Sequence, residues 1–216
     1  MPVRSTKLAL APLAAHLHAL RACTRCPDMI GPVVVGQPAL SELITIGQAP
    51  GDKEPKLGRP FAWTAGKTLF KWFASLGIDE DSFRRKVYMA AVCRCFPGKN
   101  PKGGDRVPSD EEIARCRPWL HAELALVRPQ LLVPIGKLAI AEVLGEARPL
   151  VEVIGAVHQI ELDGRGYDVL PLPHPSGAST WHRMEPGKTL LVKALDLLGR
   201  HPAWRAMLAR AAPVAP

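Results

Sequence analysis

The chain has no uninterrupted apolar run near the roughly 20 residues that a membrane-spanning helix needs. Met1 to Ala22 interleaves Arg4, Lys7, His16, His18 and Arg21 with its apolar residues, so an amphipathic helix is expected there rather than a signal peptide. The expectation is a cytoplasmic protein without a membrane partner. No repeat and no Pro/Gly/Ser-rich linker divides the sequence, so one domain over residues 1–216 is expected. That length suffices for an α/β domain with a full core.

Cysteine is scarce, at five residues, and only one C-x2-C pair occurs, Cys23-Thr24-Arg25-Cys26. A zinc ribbon would need a second such pair. Disulfides are the weaker reading in a chain expected to be cytoplasmic. A C-x2-C on a turn can aim two thiolates at one metal group. Cys95 and Cys116 flank a Gly/Pro/Lys-rich loop, Pro97 to Pro108, and could close a four-thiolate site. This spread spacing suits an iron–sulfur cluster better than zinc, though spacing alone does not decide. Cys93 competes with Cys95 for the third position. Residues i and i+2 of a strand point the same way, so strand geometry does not choose between them.

What the chain does have is positive charge. Lys and Arg exceed Asp and Glu to give a formal +8, with a pI near 9.5. That favours a polyanionic partner, with nucleic acid the default.

The strongest local signal is Gly47-Gln48-Ala49-Pro50-Gly51, directly after the apolar run Leu43 to Ile46 and followed by Gly58-Arg59-Pro60-Phe61 and Ala65-Gly66. A strand feeding a Gly/Pro-rich loop and then a helix offers backbone N–H groups to a polar or anionic ligand. Phe61 adds an aromatic face suited to a nucleobase. Ala65-Gly66-Lys67-Thr68 resembles the end of a P-loop, but that motif needs Gly where Phe61 stands and a strand directly before the loop.

A second loop reads His174-Pro175-Ser176-Gly177-Ala178-Ser179-Thr180-Trp181-His182-Arg183. Pro173 and Pro175 stiffen the backbone on either side of His174. Ser176, Gly177, Ser179 and Arg183 can donate to phosphates. Trp181 and Met184 supply an apolar wedge of the kind that enters a base stack.

Between these loops the elements alternate. Helices are expected over 6–22, 68–76, 109–127, 137–144, 188–198 and 203–211. Strands are expected over 43–47, 86–92 and 131–135. Two more, over 157–162 and 167–172, flank the hairpin signal Asp163-Gly164-Arg165-Gly166. Such alternation predicts a mostly parallel sheet covered on both faces, with ligands bound beyond the strands' C-terminal ends.

Together, from Cys23 to about Arg183, these motifs resemble the uracil-DNA glycosylase superfamily, and within it the iron–sulfur branch of family 4 and its relatives. The motifs are the C-x2-C pair, Gly47–Gly51, Gly58–Phe61 with Ala65-Gly66, Arg94-Cys95 with Cys116, and His174-Pro175-Ser176. The resemblance implies an α/β fold, a three-layer αβα sandwich around a four-stranded, mostly parallel sheet. It implies a 4Fe–4S cluster on Cys23, Cys26, Cys95 and Cys116, leaving Cys93 spare. It implies a monomer that flips uracil out of DNA and hydrolyses its bond to deoxyribose, leaving an abasic site. Phe61 would stack on the base. Gly47, Ala49, Pro50, Gly51 and Ala91 would shape its pocket. Gln48 or Asp52 would hold the attacking water, and His174 would donate to uracil O2 as charge builds there. Ser176, Gly177, Ser179, Trp181, Arg183 and Met184 would press on the DNA.

Two positions depart from the family pattern. Gln48 stands where family 4 commonly has glutamate, which leaves Asp52 as the nearest carboxylate. Ala91 stands where family 4 has a base-reading asparagine. A binding protein for damaged or abasic DNA, without turnover, is the alternative these departures raise; a nucleotide-binding enzyme built on Gly66-Lys67-Thr68 is a third. The basic insert of the branch that traps the sugar covalently is absent, so hydrolysis without a covalent product is expected.

Overall fold

The computed structural model describes residues 3–210. Its strands are β1 (Leu43–Gly47), β2 (Tyr88–Ala91), β3 (Leu131–Pro134), β4 (His158–Leu162) and β5 (Arg165–Val169). Its helices are α1 (Val3–Arg21), α2 (Glu54–Leu57), α3 (Thr64–Ala74), α4 (Glu80–Lys86), α5 (Asp110–Val127), α6 (Lys137–Leu144), α7 (Leu150–Val153), α8 (Gly187–Arg200) and α9 (Pro202–Ala209). No helix among the described residues is long and apolar enough to cross a membrane.

The strands form one sheet in the order β2-β1-β3-β5-β4. β1 pairs in parallel with β2 and β3, and β3 with β5. The expected four parallel strands are therefore present, but the sheet has five strands, because β4 pairs antiparallel with β5 at the edge. The hairpin turn is tighter than its four-residue signal. Asp163 (φ 52°) and Gly164 (φ 72°) make it alone, as a left-handed two-residue turn requires, and Arg165 and Gly166 already pair with β4.

β1, β2 and β3 are buried along their whole length, as parallel strands covered on both faces must be. Alternate residues feed two cores. Leu43, Met89, Leu131 and Val133 pack with Phe73, Phe83, Leu198 and Trp204 of α3, α4, α8 and α9. Ile44, Ile46, Tyr88 and Leu132 pack with Leu13, Leu17, Leu120 and Leu124 of α1 and α5. The result is the expected αβα sandwich.

α5 starts where its capping residues dictate. The Ser109 hydroxyl accepts from the Glu112 N–H, and the Glu112 carboxylate accepts from the Ser109 N–H at 2.7 Å. Elsewhere boundaries differ from expectation. α3 begins at Thr64 and not at 68. α4 was not expected at all, and by holding Lys86 it shortens β2 to Tyr88–Ala91. The short helices α2 and α7 are likewise additions. α9 ends at Ala209; position 211 of the expected terminal helix lies outside the described residues.

The chain runs from β1 to β2 on one side and then to β3 on the other. Strand order thus reverses at β1, and the crevice at its C-terminal end is where such sheets bind ligands.

Candidate active site

A cleft of about 660 Å³ opens at that crevice. It brings together residues far apart in sequence: the run Gly47 to Glu54 after β1, Phe61, Ala91 at the end of β2, Gly136 after β3, and His174, Ser176, Ser179 and Trp181 after β5. Ala91 is the register partner of Gly47, so both sit on the cleft floor. Gly177, Arg183 and Met184 are not in its wall. Gly177 and Met184 are exposed, and Arg183 faces a neighbouring groove.

Phe61 is held in a conformation that its own backbone disfavours. Its φ is 51°, in the left-handed region that few non-glycine residues occupy. Three contacts maintain it. Arg84 Nη1 donates to the Pro60 carbonyl at 2.8 Å and Nη2 to the Phe61 carbonyl at 3.0 Å. The Ala62 N–H donates to Glu54 Oε1 at 3.1 Å. Gly66 lets α3 approach so closely that a Cβ there would fall 1.8 Å from the Phe61 carbonyl oxygen. The ring itself lies over Gly47, where a Cβ would come within 3.2 Å of it. The aromatic platform is thus fixed from below and behind before any ligand arrives.

Glu54 is a cleft residue that sequence reasoning missed. It is buried, and besides Ala62 it accepts from the Gly51 N–H at 3.2 Å. Burial pushes its carboxyl up to about 7, against the backbone donors of Gly51 and Ala62 that favour the ionised form. It ties the loop after β1 to the Phe61 turn. The available hint was a lone acid followed by Pro55 inside a Gly/Pro-rich loop.

Asp52 has the opposite character. It lies at the cleft mouth, 3.3 Å from Lys99 Nζ and 3.4 Å from Lys53 Nζ. Partial burial would raise its carboxyl, but the two ammonium groups outweigh that and hold it below the ordinary aspartate value. It is therefore an ionised carboxylate of the cleft at neutral pH, with Asp105 lining the same cleft. Lys99 also meets Asp105 at 2.7 Å, joining the loop after β1 to the loop before α5.

The His174 ring is oriented by its own loop. The Ser176 N–H donates to Nδ1 at 3.2 Å, which leaves the ring proton on Nε2. Burial, and then the nearby His182, hold its pKa below the usual histidine value, against a weaker pull from Asp105. A Cβ on Gly136 would come within 3.1 Å of the ring, so this glycine lets the imidazole lie flat on the loop after β3. Gln48 lines the cleft, and its carbonyl accepts from the Cys93 N–H at 2.9 Å.

The cysteines gather at the core between the sheet and α1 and α5. Burial raises the Cys26 thiol, and Cys116 and Cys23 raise it further. The Cys95 thiol is pushed up to about 11 by burial and then by Cys116, Cys23 and Cys26. The four predicted ligands are therefore close enough to sense one another's charge. Among the described residues, no three His, Cys, Asp or Glu side chains are placed to share a single metal ion. A zinc ion would draw its thiolates to about 2.3 Å from one centre, whereas a cluster of several irons spreads them wider. Arg94 carries the sharper test. It is 2% exposed, pairs with Glu123, and leaves Nε and Nη1 buried without a partner among the described residues. Its charge favours the Cys116 thiolate. A buried cation with unused donors beside thiolates fits a group of net negative charge. Cys93 touches Cys116 and acts as the thiol of that pair, while Cys116 is favoured as thiolate.

An αβα sandwich whose switch-point crevice gathers an aromatic ring, a histidine and carboxylates is a ligand-binding fold of the α/β class. The chain belongs to the uracil DNA glycosylase superfamily, whose family model matches residues 34–199. It is 33% identical over 161 residues to the Type-4 uracil-DNA glycosylase of Thermotoga maritima, covering 73% of this chain and 78% of that one. It is 31% identical over 140 residues to the Type-4 uracil-DNA glycosylase of Archaeoglobus fulgidus, covering 63% of this chain and 66% of the relative, just under two thirds of its length. A Type-5 uracil-DNA glycosylase of Pyrobaculum aerophilum is 28% identical over 152 residues, 62% of its length.

Proposed function

We propose that this chain is a uracil-DNA glycosylase of base-excision repair. It takes a uracil flipped out of DNA and hydrolyses the N-glycosidic bond, leaving an abasic site. The observation that carries this reading is the pairing of the Ser176 N–H with His174 Nδ1 in a cleft that also holds Phe61. A neutral imidazole with its proton on Nε2 is a hydrogen-bond donor for a developing oxyanion.

The flipped base stacks on Phe61, over Gly47 and beside Ala91. The C1′–N1 bond breaks with both electrons staying on the base. His174 Nε2–H donates to uracil O2, where much of that charge collects. The sugar passes through an oxocarbenium-like state. A water held by the Gln48 amide attacks C1′ through its oxygen. Its proton passes to the Asp52 carboxylate and on to solvent, from which the uracil anion is protonated. Glu54 does not touch the base; it keeps the Gly51 and Phe61 turns together. Ser176, Gly177, Ser179, Trp181, Arg183 and Met184 meet the DNA around the extruded nucleotide. One chain holds every residue named, so we propose a monomer as the working unit, acting on cytoplasmic DNA.

Cys23, Cys26, Cys95 and Cys116 would hold a 4Fe–4S cluster, with Arg94 facing its negative charge. When bound, such a cluster supplies a cross-link between the segment after α1, β2 and α5, together with one-electron redox capacity.

The test is incubation with oligonucleotides containing uracil, hypoxanthine or xanthine, followed by alkaline cleavage. Strand breaks at uracil, lost in His174→Ala, are the expected result. Tight binding to abasic DNA with no base released from any substrate would overturn the enzymatic reading in favour of a damage-binding protein.

A further inference from the structure

A second cavity, of about 530 Å³, lies on the other side of the ridge that bounds the cleft. The same two elements wall both cavities. Thr64 and Ala65 of α3 and Trp181 face the cleft. Lys67, Lys71 and Trp72 of α3, with His182 and Arg183, face the groove. The ridge is firm, because Gly187 packs so tightly on Trp181 that a Cβ there would fall 2.1 Å from the Trp181 carbonyl oxygen.

The groove is cationic without compensation, since its lining contains no acidic side chain. Lys67 and Lys71 are one helical turn apart, about 6 Å along the axis, a spacing like that of successive phosphates on a strand. Arg183 and Thr68 line the same groove, and the Ser75 hydroxyl at its end donates to the Trp72 carbonyl at 2.6 Å. His182 is 8% exposed, and its ring sits between Arg183, whose Nε lies 3.4 Å from Nε2, and the His174 backbone. Its ring meets Trp72 edge-on at 5.3 Å. Three cations and the Thr68 hydroxyl give the groove its donors for phosphate oxygens. This also accounts for the segment Ala65-Gly66-Lys67-Thr68, which lies within α3 and therefore forms no phosphate-wrapping loop.

We infer that this groove binds the sugar-phosphate backbone of the strand that delivers the flipped nucleotide, on the side where that strand leaves the cleft over the Trp181 ridge. The inference rests on the glycosylase reading for the choice of strand, but its test does not. The occupant is a nucleic-acid backbone and not a free nucleotide, because the groove adjoins the cleft across the Trp181 ridge and the whole chain carries +8.

The experiment is fluorescence anisotropy of a uracil-free, single-stranded 20-mer with the full chain across a salt series. The double variant Lys67→Gln/Lys71→Gln should weaken binding about tenfold at low salt. It should also reduce the magnitude of the log K against log[salt] slope by about 1.4, the share of two single-strand phosphate contacts. Lys193→Gln, which removes an exposed lysine outside both cavities, should leave the slope unchanged. Both substitutions are on exposed helix surface, and matching thermal unfolding confirms the fold. An unaltered slope in the double variant overturns the inference. So does displacement of the oligonucleotide by micromolar ATP or inorganic phosphate, which would assign the groove to a free ligand. Failure of uracil release with the slope change intact overturns the glycosylase reading and leaves the groove standing.

Discussion

The Ser176 backbone N–H donates to His174 Nδ1 at 3.2 Å, and this single bond determines what His174 can do. With Nδ1 occupied as an acceptor, the neutral ring presents Nε2–H to the cleft. His174→Ala removes that donor and should lower kcat about 10²–10³-fold, the usual effect of losing one preorganised oxyanion donor. Single-turnover release of uracil measures it. A loss under threefold would exclude the assigned role.

The same bond predicts an acid limb in the pH profile. Burial and His182 hold the His174 pKa below the usual histidine range. Below that pKa, Nδ1 gains a proton, and two donors then face each other at Ser176. Between the depressed pKa and the unfolded one, the unfolded chain binds more protons, so stability rises with pH across that window. kcat/KM should fall on acidification only below the ordinary histidine value. Loss of the acid limb in an active His174→Gln variant would confirm its source; an unmoved limb would assign it elsewhere.

The Phe61 platform predicts that a residue remote in sequence controls substrate binding. Arg84→Met leaves the carbonyls of Pro60 and Phe61 without their 2.8 and 3.0 Å donors. That should cost about 1–3 kcal/mol of stability and raise KM more than it lowers kcat. Gly66→Ala, whose Cβ would sit 1.8 Å from the Phe61 carbonyl oxygen, should be worse on both counts. Urea unfolding and steady-state kinetics check each.

Arg84 also shows where sequence reading ran out. β1, β3 and the loops after them were legible because apolar runs end abruptly in Gly and Pro. α5 was legible because Ser109 and Glu112 form a capping box. α4 was not, since Glu80–Lys86 carries a single apolar residue, Phe83. Its signal was the cap at Asp79, whose carboxylate accepts from the Ser82 N–H at 2.9 Å. The start of α3 at Thr64 has no side-chain cap; the close fit of Gly66 to Phe61 fixes it. The contacts of Glu54 and Arg84 to the Phe61 turn are tertiary, and no local pattern announces them. The loops that line the cleft were readable as motifs, but the groups that hold them in place were not.

Glu54 should leave its own mark on stability. Its folded pKa is about 7, above the ordinary glutamate value of 4.5. Between these values the folded chain holds a proton that the unfolded chain has lost, so this group's contribution falls as pH rises from about 4.5 to 7. Glu54→Gln removes the titration and turns an amide NH₂ toward an existing N–H donor, at Gly51 or Ala62. The variant should be less stable by about 1–3 kcal/mol, with a flatter pH dependence between 4.5 and 7. Thermal melts at several pH values would show it.

Ala91 predicts a relaxed choice of base. It lines the cleft beside Gly47 and has no polar group to read an edge. A site that hydrogen-bonds its ligand rejects analogues lacking the match far better than an apolar one. Ala91→Asn should therefore raise the ratio of uracil to hypoxanthine release about tenfold or more. Parallel cleavage assays on the two oligonucleotides give the ratio, and an unchanged ratio would mean that another group reads the base.

The cysteines make the last prediction, and it separates four residues from a fifth. Cys95 senses Cys23, Cys26 and Cys116, whereas Cys93 is fully buried, touches Cys116 and senses Cys26 but not Cys23. If the four form the cluster site, Cys26→Ser and Cys95→Ser should each abolish the visible absorption and iron content of the purified protein. Cys93→Ser should keep both, because it removes a neighbour of a ligand and not a ligand. The α1 and α5 side of the sheet should suffer with the cluster, since the segment after α1, β2 and α5 lose their common anchor and Arg94 keeps buried N–H groups without a partner among the described residues. Lower melting temperatures in Cys26→Ser and Cys95→Ser than in Cys93→Ser follow. Iron retained in Cys95→Ser but lost in Cys93→Ser would reverse the assignment of the third ligand.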